Sequence, residues 1–290
     1  MRRPFASFAG LVALAVLAVA GIAVLVTARD GHIPFVSDTC RIYANGHTVQ
    51  LDPEQAGHAA TIAAVGVRRK LPERAVTVAL ATALQESKLR NLPDGDRDSV
   101  GLFQQRPSQG WGTPEELQEP RYAATQFYRH LVRVQAWEEL SVADAAQAVQ
   151  RSAAGSAYAK WDADATALAR AFTGREPGAV TCRLRSERGK GIVATADDLG
   201  SALRADVGAV TASPSDGTSA ARRVTVPVNS ARGGADPGWR VAYWFVAQSK
   251  SYGVHTVRYK ELEWTAGTGK WQKPKSQAPA RRVVAELSGA

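Results

Sequence analysis

One apolar segment restricts this chain more than any other feature: residues 9–28 read AGLVALAVLAVAGIAVLVTA and carry no charged side chain. A helix needs about 20 apolar residues to cross the hydrocarbon core of a bilayer, and a helix satisfies its own backbone hydrogen bonds there. Arg2 and Arg3 precede the segment, and basic residues favour the cytoplasmic side. The sequence therefore predicts an N-terminal transmembrane helix in a single-pass protein of the cell membrane, with the bulk of the chain extracytoplasmic.

Residues 1–30 also allow a second interpretation, a cleavable signal peptide. The residues VTA before Arg29 are typical of a cleavage site, although the apolar core of a signal peptide is usually only about 7–15 residues long. In both cases the rest of the chain is exported. Export places the two cysteines, Cys40 and Cys182, where oxidising conditions allow a disulfide bond. Two free buried thiols are the alternative.

Helical signals fill residues 53–174. Asp52 precedes Pro53, and Gln55 stands where a capping box needs it, so a helix is expected to begin here. A second helix shows apolar residues on a single face, namely Val76, Ala79, Leu80, Ala83 and Leu84. The stretch CRIYANGHTVQL allows one hairpin at its Asn-Gly pair, but residues 53–174 contain no convincing strand. The sequence therefore predicts an all-α domain over 40–182.

The pattern changes after Cys182. RRVTVPV alternates like a strand, PGWRVAYWFVAQSKSYG reads as a helix, and VHTVRYKELEW reads as a pair of strands. Residues 190–290 are therefore predicted to be a small α+β domain. This half has one histidine, His255, and no cysteine after Cys182, whereas a zinc site needs about three or four ligands. We accordingly expect no metal and no cofactor.

The net charge of +9 is concentrated in the second half of the chain, where residues 175–290 hold 18 Lys and Arg against 10 Asp and Glu. A basic region of this kind often binds nucleic acid, but an exported chain does not meet it. Anionic envelope polymers or cell-wall proteins are the expected partners, next to the cytoplasmic membrane at residues 9–28. A basic face that is merely solvated is the alternative.

The stretch ALQESKLRNL places Glu86 at the carboxyl end of a predicted helix. The helix dipole disfavours an anion at that end, and a protonated carboxylic acid is what cleavage of a glycosidic bond requires. Taken alone, such a glutamate is usually only a solvated side chain. Its surroundings favour a site: GLFQQ, residues 101–105, offers a glycine and two amides for sugar groups, and PSQGWG presents Trp111 in a turn where an indole can pack on a sugar face.

ALQES followed by VGLFQ resembles the signature of the lysozyme-like superfamily, which includes soluble lytic transglycosylases and goose-type lysozymes. GLFQQRPSQGWGT and QAVQRSA resemble the actinobacterial branch of exported members. The resemblance implies a helical lysozyme-like fold, peptidoglycan glycan strands as substrate and Glu86 as catalytic acid. The substrate-binding residues that it and the neighbouring pattern indicate are Ser87, Gly101, Phe103, Gln104, Gln105, Trp111 and Tyr158.

The third motif of that family departs from its usual form here. Lytic transglycosylases carry a Tyr-Asn pair before an Ala-Gly, whereas QRSAAGSAY holds Ser152 and Ala153. The tyrosine that hydrogen-bonds the acid is therefore missing or is supplied by Tyr158. Three functions stay open: a transglycosylase that needs Glu86 alone, a muramidase-type hydrolase with Asp98 as second carboxylate, and a weak or inactive wall-binding scaffold.

Overall fold

The computed structural model describes residues 37–151, 155–185, 194–208, 213–214, 222–229, 234–274 and 281–288. The predicted membrane segment 9–28 lies outside these ranges. Within them no helix is both long and apolar enough to cross a membrane. The longest described helix, Pro53–Arg68, has 16 residues and so a length of about 24 Å, against a hydrocarbon core of about 30 Å. The predicted transmembrane helix and single-pass location in the cell membrane therefore have no support in the structure, and we correct them.

Helix α2 (Glu73–Ser87) lies at the centre of the first part of the fold, packed against α1 (Pro53–Arg68), α5 (Val142–Gln150) and α6 (Asp162–Phe172). Its face from Val76 to Leu84 is buried because alanine and valine dominate it and leave neighbouring helices room to approach. Helix α1 begins with the expected capping box between Asp52 and Gln55. The bounds are α1 Pro53–Arg68, α2 Glu73–Ser87, α3 Pro114–Leu117, α4 Pro120–Leu131, α5 Val142–Gln150 and α6 Asp162–Phe172, with short 3-10 helices at Pro107–Gln109 and Gly155–Trp161.

Three antiparallel strands pack beside these helices: β1 (Thr39–Ala44), β2 (His47–Leu51) and β3 (Val180–Arg183), in the order β2-β1-β3. The Asn-Gly pair forms the β1–β2 turn with positive φ at both residues, as hairpin turns of this kind require. Cys40 lies directly opposite Cys182 in the β1–β3 register. The two are disulfide-bonded, which confirms the predicted bond.

The prediction of an all-α lysozyme-like domain over 40–182 is wrong. The described residues of the chain form a mixed α/β protein with nine α-helices and two antiparallel sheets. Strand β3 has only four residues, too few for a period-two pattern to be recognised in the sequence. It becomes a strand because β1, far away in the chain, supplies its hydrogen-bonding partners.

The second sheet has six antiparallel strands in the order β4 (Ser213–Pro214), β5 (Arg223–Pro227), β9 (Arg282–Leu287), β6 (Val254–Tyr259), β7 (Leu262–Thr265) and β8 (Lys270–Gln272). Helix α8 (Pro237–Ala247) packs on strands β6 and β9, and Trp239, Trp244 and Trp264 are buried in this part of the fold. These tryptophans build core, with Trp271 half-buried beside them. The bounds are α7 Ala196–Val207, β4 Ser213–Pro214, β5 Arg223–Pro227, α8 Pro237–Ala247, α9 Ser249–Tyr252, β6 Val254–Tyr259, β7 Leu262–Thr265, β8 Lys270–Gln272 and β9 Arg282–Leu287.

Asp206, near the end of α7, joins the two parts of the chain. Its buried carboxylate accepts hydrogen bonds of 2.7 Å from Thr61 on α1 and 2.7 Å from Trp244 on α8, and Arg121 on α4 pairs with it at 3.3 Å. Burial raises the pKa of Asp206 above its ordinary value, against these hydrogen bonds. Residues Asp38–Ala290 form one compact unit. The division into domains at 40–182 and 190–290 stays a prediction.

Candidate active site around Glu86

Glu86 is the last residue but one of α2, and its side chain is half-buried. The helix stops there because Lys88 adopts the left-handed conformation with φ 57°. The end is closed by hydrogen bonds from the Lys88 N–H to the Leu84 carbonyl at 3.2 Å and from the Leu89 N–H to the Ala83 carbonyl at 3.1 Å. The apolar face of α2 fixes the helix in the core. Its final turn therefore holds the Glu86 carboxyl at a defined position at the edge of the core.

Tyr158 forms a hydrogen bond to the Glu86 carboxyl, which the Tyr-Asn pair absent from the third motif does not provide here. Its hydroxyl donates to Glu86 Oε1 across 2.5 Å. The ring is 1% exposed and comes from the 3-10 helix Gly155–Trp161, which packs on α2. In the described part of the chain Glu86 Oε2 has no hydrogen-bond partner, so one oxygen is held and the other is left for a ligand. Ser152 and Ala153, the unusual residues of that motif, lie outside the described residues.

Ser87 connects the end of α2 to the GLFQQ loop. Its buried hydroxyl donates to the Leu102 carbonyl at 2.7 Å, and it also lies 3.1 Å from the Ala83 carbonyl. Both acceptors belong to the protein backbone. Ser87 is thus placed to position the loop against Glu86, and its role in substrate binding stays a prediction.

The GLFQQ loop needs its glycine for a steric reason. Gly101 has φ 78°, and a Cβ there would lie 2.5 Å from the Leu117 carbonyl oxygen. Phe103 is buried and stacks on Phe127 with ring centroids 4.8 Å apart. Gly101 and Phe103 thus determine the conformation of the loop through their contacts with the protein interior.

The two glutamines of the loop differ in their surroundings. Gln105 is buried, and its amide donates to the Ala123 carbonyl at 3.2 Å. Gln104 is half-buried and donates to the Gly101 carbonyl at 3.1 Å. Of the predicted sugar-binding amides, Gln104 is therefore the one with exposed surface.

Trp111 is half-buried and packs on the core. Its ring lies 3.9 Å from that of His130 on α4, at an interplanar angle of 34°. Nothing in the sequence pattern pointed to His130. One face of this indole is therefore occupied by the imidazole, and the turn at Gly110 and Gly112 bends the chain around it.

Asp98 is held by its own loop. Its Oδ2 accepts the Ser108 N–H at 2.8 Å and its Oδ1 pairs with Arg106 Nε at 2.7 Å. The backbone hydrogen bond from Ser108, followed by the one from Arg106, holds the pKa of Asp98 well below its usual range. This carboxylate is ionised and neutralised by a guanidinium, and both of its oxygens are engaged.

Sequence reasoning missed a second group of side chains at the end of α2. Trp161 donates its indole N–H to Gln85 Oε1 at 2.9 Å. The ammonium of Lys88 lies 4.5 Å from the Trp161 ring centroid and that of Lys160 lies 5.4 Å from it. The signal was present in the sequence, because Trp161 follows Tyr158 by three residues and so shares its 3-10 turn.

Among the residues that the structure describes, no group of three or more His, Cys, Asp or Glu side chains is arranged to hold a metal ion. The functional groups that the site does offer are a carboxyl, a phenol, ammonium groups and amides. Such a set can transfer a proton and bind a polar or anionic ligand.

No family model matches the chain, and comparison with curated proteins gives no match. The expectation of a lysozyme-like protein or a transglycosylase is thus not supported by these comparisons. A transmembrane helix is likewise not found among the described residues, whereas the disulfide bond is present. The resemblance stays an observation about short motifs around Glu86 and Gly101. The expected partners, glycan strands and anionic envelope polymers or cell-wall proteins, stay predictions.

Proposed function

We propose that this chain cleaves the glycan strands of peptidoglycan, with Glu86 as the group that donates and then accepts a proton. The observation that carries the proposal is the 2.5 Å hydrogen bond from the buried Tyr158 hydroxyl to Glu86 Oε1. A buried phenol on a half-buried carboxyl fixes the direction in which the other oxygen points. General acid catalysis requires such positioning.

The reaction needs one carboxyl group. Protonated Glu86 gives its proton to the glycosidic oxygen, and the bond from that oxygen to the sugar C1 breaks as an oxocarbenium ion develops. The resulting carboxylate then takes the proton of the sugar's own 6-hydroxyl while that oxygen bonds to C1. The products are a shortened strand and an anhydro sugar, and Glu86 is protonated again.

Tyr158 has the same role in both halves of this cycle. Its O–H donates to Oε1 whether the carboxyl is protonated at Oε2 or ionised. The hydrogen bond becomes stronger when Glu86 is ionised, because charge-assisted hydrogen bonds are about twice as strong as neutral ones. Tyr158 thus stabilises the carboxylate that follows proton donation.

The state of Asp98 favours this single-carboxyl reaction over hydrolysis. A hydrolase needs a second carboxylate to hold water or to stabilise the oxocarbenium ion. Both oxygens of Asp98 are already bound by Arg106 and Ser108. A chain that binds the strands without cleaving them is the remaining alternative.

The experiment is digestion of purified peptidoglycan followed by mass spectrometry of the sugar ends. The single-carboxyl reaction gives anhydro ends. Reducing ends would instead favour hydrolysis with Asp98, and strands that bind but stay intact would favour the scaffold. Reducing agents are left out of the digestion, since the Cys40–Cys182 bond joins β1 and β3.

A further inference from the structure

A basic and aromatic cluster lies beside Glu86 and takes no part in the proton transfers described above. It consists of Gln85, Lys88, Lys160 and Trp161. The Trp161 indole is tied to Gln85 Oε1 at 2.9 Å, which fixes the ring against the last turn of α2. The ammonium groups of Lys88 and Lys160 both lie over this ring, at 4.5 Å and 5.4 Å from its centroid.

The two lysines concentrate positive charge. Burial lowers the pKa of Lys88 and the neighbouring charge of Lys160 lowers it further, while Glu86 raises it. Neither lysine forms an ion pair within 4.0 Å with any aspartate or glutamate among the described residues. Glu86 is the acidic side chain whose charge acts on Lys88.

Lys88 Nζ also donates to the Leu84 and Gln85 carbonyls, at 3.1 Å and 3.5 Å. These neutral acceptors and the cation–π attraction to one indole compensate the two positive charges only in part. Cation–π contacts contribute about 0.5–1 kcal/mol at exposed sites, and like charges close together repel. An anion that enters beside Trp161 would relieve this repulsion. The cluster is therefore arranged to receive a negative charge next to the bond that Glu86 is proposed to break.

We propose that Lys88 and Lys160 bind a carboxylate carried by the glycan strand, and so determine which strands the site accepts. This inference rests on the proposed function for the identity of its ligand. Alternate sugars of this polymer carry a carboxylate in one of two places: on the lactyl ether where no peptide is attached, or on the peptide stem where the lactyl carboxyl is bound to it as an amide. Both sources present the same chemistry to two ammonium groups.

The test measures binding and does not depend on cleavage. The full chain with Glu86→Gln is titrated by calorimetry with three soluble oligosaccharides: one with free lactyl carboxylates, its methyl ester, and one that bears peptide stems. The free acid, the stem-bearing oligosaccharide or both are expected to bind more tightly than the ester. Raising the salt concentration is expected to weaken that preference, because exposed charges are screened.

Lys160→Gln in the same background is expected to raise the Kd of the anionic oligosaccharide about 2- to 5-fold, the size of one exposed ion pair, and to leave the ester unchanged. Lys88→Gln is expected to add to this effect. Lys70→Gln is the matched control, since Lys70 is an exposed lysine with φ 58°, close to the φ of Lys88, but follows α1. It removes the same charge elsewhere.

Equal losses on the acid and the ester, or no loss in the Lys160 variant, would overturn the inference, as would failure of every oligosaccharide to bind. A preference confined to the stem-bearing compound assigns the carboxylate to the stem, and a preference for the free lactyl acid assigns it to the sugar. If the wild-type chain shows charge-dependent binding but cleaves no strand, the proposed function is contradicted and this inference is not.

Discussion

Tyr158 donates a hydrogen bond to Glu86 Oε1 across 2.5 Å, although 72 positions separate the two residues in the chain. The phenol approaches from a 3-10 helix and the carboxyl from the end of α2, so their contact depends on how these elements pack. Tyr158 is buried and Glu86 is half-exposed. The Glu86 carboxyl is therefore held by Tyr158 on the side that faces the protein interior and is accessible on its other side.

Removal of the Tyr158 hydroxyl tests whether this contact supports catalysis. Tyr158→Phe is expected to lower kcat about 10- to 100-fold, since a hydrogen bond to a charged group contributes about 1.5–3 kcal/mol, with little change in KM. Initial rates on purified strands give both constants. Tyr43→Phe is the control, because Tyr43 is 59% exposed on β1. A Tyr158→Phe chain with unchanged kcat would show that the phenol has no catalytic role.

Gly101 and Gly110 form a matched pair in the loop that follows α2. Both have φ 78°, but a Cβ on Gly101 would lie 2.5 Å from the Leu117 carbonyl, whereas Gly110 has no atom within 4 Å of that position. Gly110→Ala is expected to cost about 1–2 kcal/mol for the left-handed backbone. Gly101→Ala is expected to cost at least about 1 kcal/mol more, because the clash adds to the backbone cost.

Urea unfolding of both alanine variants measures this difference directly. The Gly101 variant is also expected to lose cleavage activity, since the loop carries Leu102, whose carbonyl accepts from Ser87. Equal stabilities of the two variants would mean that the loop can move away from Leu117 at no cost.

Asp206 gives the fold a pH dependence with a definite sign. Its folded-state pKa is raised, chiefly by burial. The folded chain therefore binds the proton of the Asp206 carboxyl more tightly than the unfolded chain does, in which the pKa of an aspartate is about 3.9. The associated stability is present below that value and is lost as pH rises through the folded pKa. Asp206→Asn removes the titration. The free energy of unfolding of the wild type, minus that of the variant, is expected to fall as pH rises above about 4.

Denaturant unfolding of both chains across pH 4 to pH 7 gives this difference. Other titrating groups are common to the two chains and cancel in the subtraction. A difference that rises with pH would contradict the raised pKa, because it would mean that Thr61, Trp244 and Arg121 favour the ionised form more than burial opposes it.

Asp98 separates the two chemical alternatives. Asp98→Asn is expected to change kcat less than about 3-fold, because a single-carboxyl reaction does not use this group. The oxygens of Asp98 accept hydrogen bonds from Arg106 and Ser108, and these stabilise the loop. Rates are compared with those of Asp96→Asn, an exposed aspartate two residues away. A loss of several hundred-fold confined to the Asp98 variant would assign it the role of second carboxylate.

Local signals in the sequence predicted part of this structure. The Asn-Gly turn, the capping box at Asp52 and the apolar face of α2 are patterns of a few neighbouring residues, and each lies where expected. The Glu86 region could be singled out for the same reason, since the carboxyl, the helix end and the following glycine loop are close in sequence.

Contacts between distant segments could not be predicted in this way. Strand β3 exists because β1 pairs with it, and the Asp206 carboxylate is defined by partners on α1, α4 and α8. Hydrophobic periodicity describes which face of an element is buried but not which element covers it. Trp161 is an example, since its N–H bonds Gln85 at the site although 76 positions separate the two residues.

The central claim is that Glu86 is the acid, and one comparison tests it most directly: release of soluble fragments from purified peptidoglycan by the wild type and by Glu86→Gln. The amide is nearly the same size and can still accept the Tyr158 hydrogen bond, but it has no acidic proton to give. We expect a loss of at least about 1,000-fold, with an unchanged circular dichroism spectrum and unfolding midpoint. Equal rates of fragment release by the two chains would contradict the account.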